Sequence, residues 1–504
     1  MRLPLLTVIS ASLCTLTAIA QPGIPDNTFA GDATVVFGNG TDWLFTRDLL
    51  VRPNGNIVVV GSRFRPSPAG TVMAYCEIDG DGTVTDDAYF GAEGRVHQLQ
   101  AAALQADGKV VVAGYSYPTG QSEDLSIELM RIGTDGELDP DFGTDGVVVT
   151  DMAEWSVGAL DVAVGADGKI LVAGSRYGDL GEELIVVRYL ADGTVDENGF
   201  GTDGIAVGPP TYSVYPNEMV VASNGIIYIA GTTFTVDNVP AIVSFMADGS
   251  VNEAFGDLGV VLPSTVAGYA YSTALALEPD GNLLLGVSTD PVELHRFTTD
   301  GSDGSGLVSG GHVSTGQFVD PDQAISLLSQ PDGRILLAVT TGDQRWKTLR
   351  LLHNGAADVG FTTFTSPNVG FPVYMRALAL QSDGKVLLGG DGAVNEISAF
   401  AVTRLLNELT VGADDLSDTP GAVLVYPNPI ASEARFSYTI RTSGSVNIEL
   451  LNNAGQVVRT YANTAASTEG TYTEVLDLEG IESGVYHLVL TAGSQRATVQ
   501  VTKE

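Results

Sequence analysis

Cysteine, histidine and basic residues are scarce in this chain, and each scarcity closes a class of explanation. Two cysteines occur in 504 residues, Cys14 and Cys76. Cys14 falls within "MRLPLLTVISASLCTLTAIA", residues 1–20, which has the layout of a secretory signal peptide. Arg2 gives the positive start, an apolar stretch follows, and Ala18 and Ala20 form a small-x-small cleavage site before Gln21. Leu13 is too bulky to precede a lipoprotein acceptor at Cys14. Cleavage leaves Cys76 alone, so the exported fold must stand without an intramolecular disulfide. The five histidines, His97, His295, His312, His353 and His487, are scattered, with no HExxH and no close pair suited to zinc, and are expected at surface or half-buried positions. Only 24 Lys and Arg face 61 Asp and Glu, a net charge of −37 that would repel nucleic acid and anionic membranes. Beyond the leader, no run approaches the roughly 18 apolar residues of a transmembrane helix.

What the chain has in quantity is glycine, 60 residues, and much of it recurs in register. "RPNGNIVVVG" begins at Arg52, "LQADGKVVVAG" at Leu104 and "GADGKILVAG" at Gly165. Further copies place their turn glycines at Gly225, Gly281, Gly333 and Gly384, after Gly55, Gly108 and Gly168. The spacings are 53, 60, 57, 56, 52 and 51 residues. Asn-Gly or Asp-Gly between apolar runs marks a hairpin whose central residues both take positive φ. A second glycine follows six positions later in five copies, at Gly61, Gly114, Gly174, Gly231 and Gly390; Val287 and Val339 replace it in the other two.

A second hairpin follows, as in "LMRIGTDGELDPDFG" from Leu129. An Arg five residues before its turn glycine recurs as Arg131, Arg188, Arg296 and Arg350, with Arg404 in the matching place of the last copy. An Asp or Asn before a Phe recurs as Asp26, Asp87, Asp139, Asp196, Asn252 and Asp358. Recurrence in nearly every unit assigns both a structural role, the Asp bracing its turn and the Arg satisfying carbonyls or carboxylates between strands. Four short strands per unit make a propeller blade. "GIPDNTFAG" from Gly23 matches the second half of a repeat, and the last copy stops at "VTRLLNE" before its own second half. The two fragments complement each other, so the N-terminal strand is expected to complete the seventh blade, where a solenoid would need caps. The expected fold class is all-β: a seven-bladed β-propeller over residues 21–408, an acidic linker at 409–421, and a small Ig-like antiparallel β-sandwich at 422–504.

The repeats resemble the delta-60 family, whose units carry these two hairpins; the resemblance implies extracellular repeat arrays and no shared catalytic residues. At the C-terminus, Tyr426-Pro427-Asn428-Pro429, then "LLNNAGQVV" containing Gly455, then "LDLEGIESGVYHLVL" containing Gly484, Val485 and Tyr486, resembles the type A C-terminal sorting domain of the type IX secretion system. That resemblance implies a Gram-negative host of the Bacteroidetes type and the type IX secretion machinery as partner. It also implies export across the outer membrane, with sorting-domain cleavage and either release or attachment to surface lipopolysaccharide.

Catalytic signatures are few: no G-x-S-x-G elbow occurs, and Cys76 sits in a strand with no His nearby. Among so many acidic residues a glycosidase pair can be neither excluded nor chosen. No cofactor is implied, and calcium is the one metal for which ligands present themselves, Asp79 and Asp81 in "DGDGTVTDD" and Asp300 and Asp303 in "TDGSDGSG", although ordinary turn chemistry accounts for both. Aromatics gather 8 to 13 residues before the turn glycines: Trp43, Phe45, Trp155, Tyr212, Tyr215, Tyr269, Tyr271, Phe371 and Tyr374. In a propeller these loops share one face, where such side chains either bind a glycan or protein ligand or wedge between blades. The expectation is a secreted, non-enzymatic binding propeller; the alternatives are a polysaccharide lyase or glycosidase, and a purely structural adhesin component.

Overall fold

The computed structural model describes residues 22–407 and 423–503, apart from 67–68, 93, 122–123, 153–155, 179–180, 211, 235–237, 265, 267–269, 308–310, 318–324, 368–372, 427–429, 431–432, 441–443, 453–456, 468–469, 482–483 and 493–494. The chain forms two compact units, Met1–Glu408 and Leu409–Glu504. Every regular element described is a β-strand. Among the described residues no helix is long and apolar enough to cross a membrane.

The first unit contains seven four-stranded antiparallel sheets. Their first strands are Trp43–Val51, Arg95–Leu104, Ser156–Val164, Val214–Val221, Tyr271–Leu277, Ile325–Ser329 and Met375–Leu380. Each first strand touches the first strand of the next sheet, and that of the seventh touches that of the first, so the sheets close a ring whose axis these strands line. The second strands explain the unbroken apolar runs of the sequence. In Val110–Ala113 no residue is more than 1% exposed, because each sheet is sandwiched between two neighbours and both faces of its middle strands are buried. One such interface packs Val111 and Ile127 against Val157, Val172 and Ile185.

The repeated Asn/Asp-Gly turns differ from the expected geometry. Only the glycine has positive φ, from 78° at Gly168 to 90° at Gly281, while the preceding Asn or Asp does not. In the first sheet Gly55 N–H donates to Arg52 C=O (2.9 Å) and Arg52 N–H to Asn56 C=O (2.8 Å), a type I turn closed by a glycine bulge. The Asn54 side-chain oxygen accepts the Asn56 N–H at 3.0 Å, and Asp107 does the same for Lys109 at 3.1 Å. The Asn or Asp is therefore selected for its acceptor, not for tolerance of positive φ. The second glycine has a separate cause. First strands bulge by one residue, at Arg47, Gln100, Leu160, Asn217 and Arg376 among others. The bulge drives a carbonyl toward the facing strand, and a Cβ on Gly61 would lie 2.0 Å from Phe45 O. Where Val339 replaces that glycine, Ile325 pairs with it and the ladder runs without a bulge, whereas Val287 pairs with Ser272 beside a bulge that persists.

The N-terminal segment completes the seventh sheet. Thr34–Phe37 pairs antiparallel with Ile397–Leu405, Thr34 opposite Thr403 and Phe37 opposite Phe400. Gly23 N–H donates to Leu406 C=O (2.7 Å), Leu406 N–H to Ile24 C=O (2.9 Å) and Asp26 N–H to Arg404 C=O (2.9 Å). The recurring Arg then joins sheet to sheet. Arg131, Arg188, Arg350 and Arg404 bind Asp139, Asp196, Asp358 and Asp26 through Nε at 2.7 to 2.9 Å. Each guanidinium also covers the Phe of its motif, Phe142, Phe200, Phe361 or Phe29, at 4.5 to 4.9 Å. Each reaches into the following sheet or its flank: Arg131 to Ala191 O, Arg188 to Ala247 O, Arg350 to Asn407 Oδ1 and Arg404 to Gly80 O.

Three units substitute for this pair. Ser244 stands where the Arg would be and accepts Asn252 Nδ2 at 3.1 Å. Arg296 turns to Glu278, at 2.5 and 2.7 Å. In the first sheet the charges are exchanged, Glu77 facing Arg52 at 3.4 Å, so Asp87 is not part of a brace of this kind. Its position lies inside the strand Val84–Phe90.

The second unit packs a sheet of Val423–Tyr426, Glu433–Ile440 and Gly470–Asp477 with one of Val457–Ser467, Gly444–Asn452, Gly484–Ala492 and Gln495–Lys503. Phe436, Leu476, Ile448, Leu488 and Val501 form its core, each with no exposure. Tyr486 is buried among them, Tyr426 ends the first strand, and Gly484 and Val485 open the strand that carries Tyr486. Pro427, Asn428, Pro429 and Gly455 lie outside the described residues.

Candidate functional site: the central channel

The bulge found in six of the seven first strands has a consequence at the axis of the ring. It breaks the two-residue alternation, so the extra residue points to the axis and the following one turns against the next sheet. A cavity of about 450 Å³ results, with Arg47, Asp48, Gln100, Asp161, Tyr215, Asn217, Glu218, Ser326 and Arg376 among its lining residues. They come from six of the seven first strands, which places the cavity on the axis.

Asp48, Asp161 and Glu218 occupy one register, seven residues before Gly55, Gly168 and Gly225. Each carboxylate accepts a backbone N–H from the next first strand along: Ala102 to Asp48 (3.1 Å), Met219 to Asp161 (2.5 Å) and Leu275 to Glu218 (2.9 Å). They are braces between adjacent sheets, although they also face the channel. Protein surrounds them on most sides, and burial raises the carboxyl of Asp48 to about 6 and that of Asp161 to about 7. Glu218 rises to about 8, by burial first and by the nearby Asp161 charge second. The backbone bonds oppose the shift in all three but are outweighed.

Two guanidiniums line the same cavity. Arg47 and Arg376 occupy the bulges of the first and seventh sheets, whose first strands are in contact. Burial, and then the charge of Arg376, lower the Arg47 pKa below the ordinary arginine value, with Asp391 offsetting part of this. Asp391 Oδ2 lies 3.6 Å from Arg376 Nη2, while Asp391 Oδ1 accepts the Thr46 N–H at 2.8 Å. Arg376 also lies over the Tyr374 ring, 5.1 Å from its centre.

Of the aromatics expected on an exposed loop face, Trp43, Phe45, Tyr212, Tyr215, Tyr271 and Tyr374 are half-buried instead. Phe45, Tyr215, Tyr271 and Tyr374 share one register, ten residues before their turn glycines. Tyr215 lines the cavity and Tyr374 lies beneath Arg376. Tyr271 OH accepts Asn238 Nδ2 at 2.9 Å, Trp43 stacks on Phe45 with ring centres 6.3 Å apart, and Tyr212 packs against the core between the third and fourth sheets. Trp155, Tyr269 and Phe371 lie outside the described residues.

The acidic turns use their own oxygens. Asp79 Oδ1 accepts the N–H groups of Asp81 (3.0 Å) and Thr83 (2.8 Å), and Asp300 Oδ1 that of Ser302 (3.0 Å), while Asp303 pairs with Phe297 through its backbone. Among the described residues no group of three or more His, Cys, Asp or Glu side chains is placed to hold a metal. Two histidines expected at surface or half-buried positions are buried. His97 is 2% exposed with Nδ1 2.6 Å from Glu128 Oε2, and His295 is 3% exposed, stacked on His312 at 5.6 Å. Cys76 is buried in the first sheet, where burial pushes its thiol far up and keeps it unreactive. The channel carboxylates went unremarked in the sequence because each reads there as one more acid of a solvated surface; their shared distance from the turn glycine was the available signal.

Residues 424–504 match the family described as secretion system C-terminal sorting domain. Residues 105–142, 165–198, 330–361 and 381–411 match a domain of unknown function described as the DUF5122 beta-propeller. No curated protein matches the chain. Among solved structures, a protein of unknown function from Dyadobacter fermentans is 14% identical, with 75% of this chain and 98% of that one covered and a TM-score of 0.43. The β-propeller domain of the trilobed protease of Pyrococcus furiosus is 8% identical, covering 75% and 98%, with a TM-score of 0.40. An α-L-arabinanase of Penicillium chrysogenum complexed with arabinobiose is 12% identical, covering 73% and 98%, with a TM-score of 0.39. The chain thus carries β-propeller repeats of the DUF5122 kind followed by a secretion system sorting domain, which directs it through the type IX system to the cell surface or the medium.

Proposed function

We propose that the chain is an exported, seven-bladed propeller that acts as a non-catalytic binding module, and that its ligand, a glycan, is held in the central channel rather than on an outer face. In this reading residues 1–20 are removed as a signal peptide, residues 21–408 form the propeller, residues 409–421 are a linker, and residues 422–504 are an Ig-like sandwich read by the secretion apparatus. One observation carries the proposal. In an array whose turns, glycines and Arg–Asp braces repeat, the bulge residue aimed at the axis changes from sheet to sheet, as Arg47, Gln100, Leu160, Asn217 and Arg376. A repeated scaffold with a varied lining supports ligand recognition, whereas a purely structural ring gains nothing from the variety. The aromatic register adds Tyr215 and Tyr374 to that lining or its support.

A polysaccharide-cleaving enzyme is the second reading, favoured by Asp161 and Glu218, whose raised carboxyls face the same cavity and hold protons near neutrality. Their bonds to backbone N–H groups and their shared register favour bracing instead. The purified full chain, incubated with a panel of polysaccharides, separates the readings: retention without new sugar ends is expected. New ends would establish catalysis, and absence of retention would refute a glycan ligand.

A further inference from the structure

Resting on that reading of the channel, we propose that Arg47 and Arg376 form an anion-binding fork that takes the carboxylate of a sugar acid, either free or as the end unit of an acidic oligosaccharide. The two guanidiniums differ from those of the repeated Arg–Asp braces in lacking an acceptor at Nε. Nε of Arg47 and Nε of Arg376 are both buried without a hydrogen-bond acceptor. Arg131, Arg188 and Arg404, in contrast, each hold a carboxylate through Nε at 2.9 Å or less. Asp391 is the counter-charge facing the pair. Its Oδ2 makes no hydrogen bond and stands 3.6 Å from Arg376, while its other oxygen is occupied by Thr46 N–H. Two positive groups therefore share one negative group in a cavity partly closed to water. The other acids of the channel, Asp48, Asp161 and Glu218, are bonded instead to the backbone N–H groups of Ala102, Met219 and Leu275. An incoming carboxylate completes both forks with paired N–H···O bonds, the geometry guanidinium groups favour.

The rest of the lining narrows the ligand. Asn217 and Gln100 offer amides, and the half-buried Tyr215 offers a ring face, a set suited to hydroxyls and the apolar side of a pyranose. Glu218, with its carboxyl near 8, carries a proton at neutral pH and can donate to a hydroxyl, while Asp161, near 7, is about half protonated there. About 450 Å³ accommodates one or two sugar units. A net charge of −37 opposes a polyanion, so a ligand with a single carboxylate fits best.

Calorimetric titration of the full chain with D-glucuronate, a glucuronate-ended disaccharide and D-glucose provides the test. Saturable heat is expected with one or both acids, at least tenfold weaker affinity for glucose, and at least tenfold loss in both Arg47→Gln and Arg376→Gln. The disaccharide binding more tightly than the monosaccharide would assign the end-unit source, and the reverse the free acid. Because Arg47 sits against a like charge, Arg47→Gln should melt no lower than the parent; a guanidinium with only a structural role would give a lower melt and unchanged binding, which overturns the fork. Equal affinity for glucose and glucuronate, both surviving the Arg substitutions, would also overturn it while leaving a glycan-binding channel intact. Binding of none of the three sugars would sink the fork, while the polysaccharide panel judges the channel reading separately.

Discussion

Replacing Glu218 with Gln should make the propeller more stable at alkaline pH and leave it unchanged in acid. The folded chain holds the Glu218 carboxyl at about 8, against about 4.5 for an ordinary glutamate. An acid whose folded pKa is raised binds its proton more tightly when folded, so its contribution to stability is fully present below about 4.5 and is lost as pH rises through about 8. Each pH unit in that window corresponds to about 1.4 kcal/mol, or ~4 kcal/mol between pH 5 and pH 8 at the limit. Contact with channel water and sharing of the shift with Asp161 reduce this to about 2 kcal/mol. Glu218→Gln stays neutral throughout and keeps an oxygen for the Leu275 N–H, now 2.9 Å away. With an unfolding entropy of ~0.8 kcal/mol/K for a unit of this length, the variant should melt ~2–3 °C above the parent at pH 8 and level with it at pH 5. Tryptophan fluorescence reports the propeller alone, since Trp43, Trp155 and Trp346 all precede residue 408. A constant offset across pH 5–8, or a less stable variant at pH 8, would refute the account of the channel carboxylates.

The ring closure makes a second prediction. Asp26→Ala strips the buried Arg404 of its carboxylate and should cost ~2–4 kcal/mol, lowering the fluorescence melt by about 3–5 °C at pH 7. Burial alone would raise the Asp26 carboxyl, but hydrogen bonds from Thr28 and the charges of Arg404 and Lys385 hold it below the usual range. The stabilisation therefore belongs to pH above about 4, and the gap between parent and variant should shrink as the medium is acidified further. A gap that persists unchanged in acid would count against this assignment. For export, removal of residues 422–504 should leave the protein in the periplasm, as fractionation and immunoblotting would reveal; normal secretion of the shortened chain would contradict the sorting role.

The sequence by itself determined the repeat, its hairpins, the complementary ends and the sorting module, because these rest on local chemistry. An Asp that accepts the N–H two residues on, and a glycine that takes positive φ, act within five residues and leave the same letters in every copy. The recurring Arg and the recurring Asp were legible for the same reason, while their pairing, as of Arg131 with Asp139, came from the structure. Their substitutes were hidden, since Arg52 with Glu77 and Arg296 with Glu278 cross between the two hairpins of a unit. The channel was decided by tertiary structure alone. Whether Phe45 or Tyr215 faces solvent depends on how neighbouring sheets approach, and Asp161 reads as a surface acid until Met219, 58 residues away, donates to it. Arg47 and Arg376 meet only because the ends of the ring join, 329 positions apart in the chain. Periodicity records how each strand is made, while the charge and shape of the axis arise from residues that share no local context.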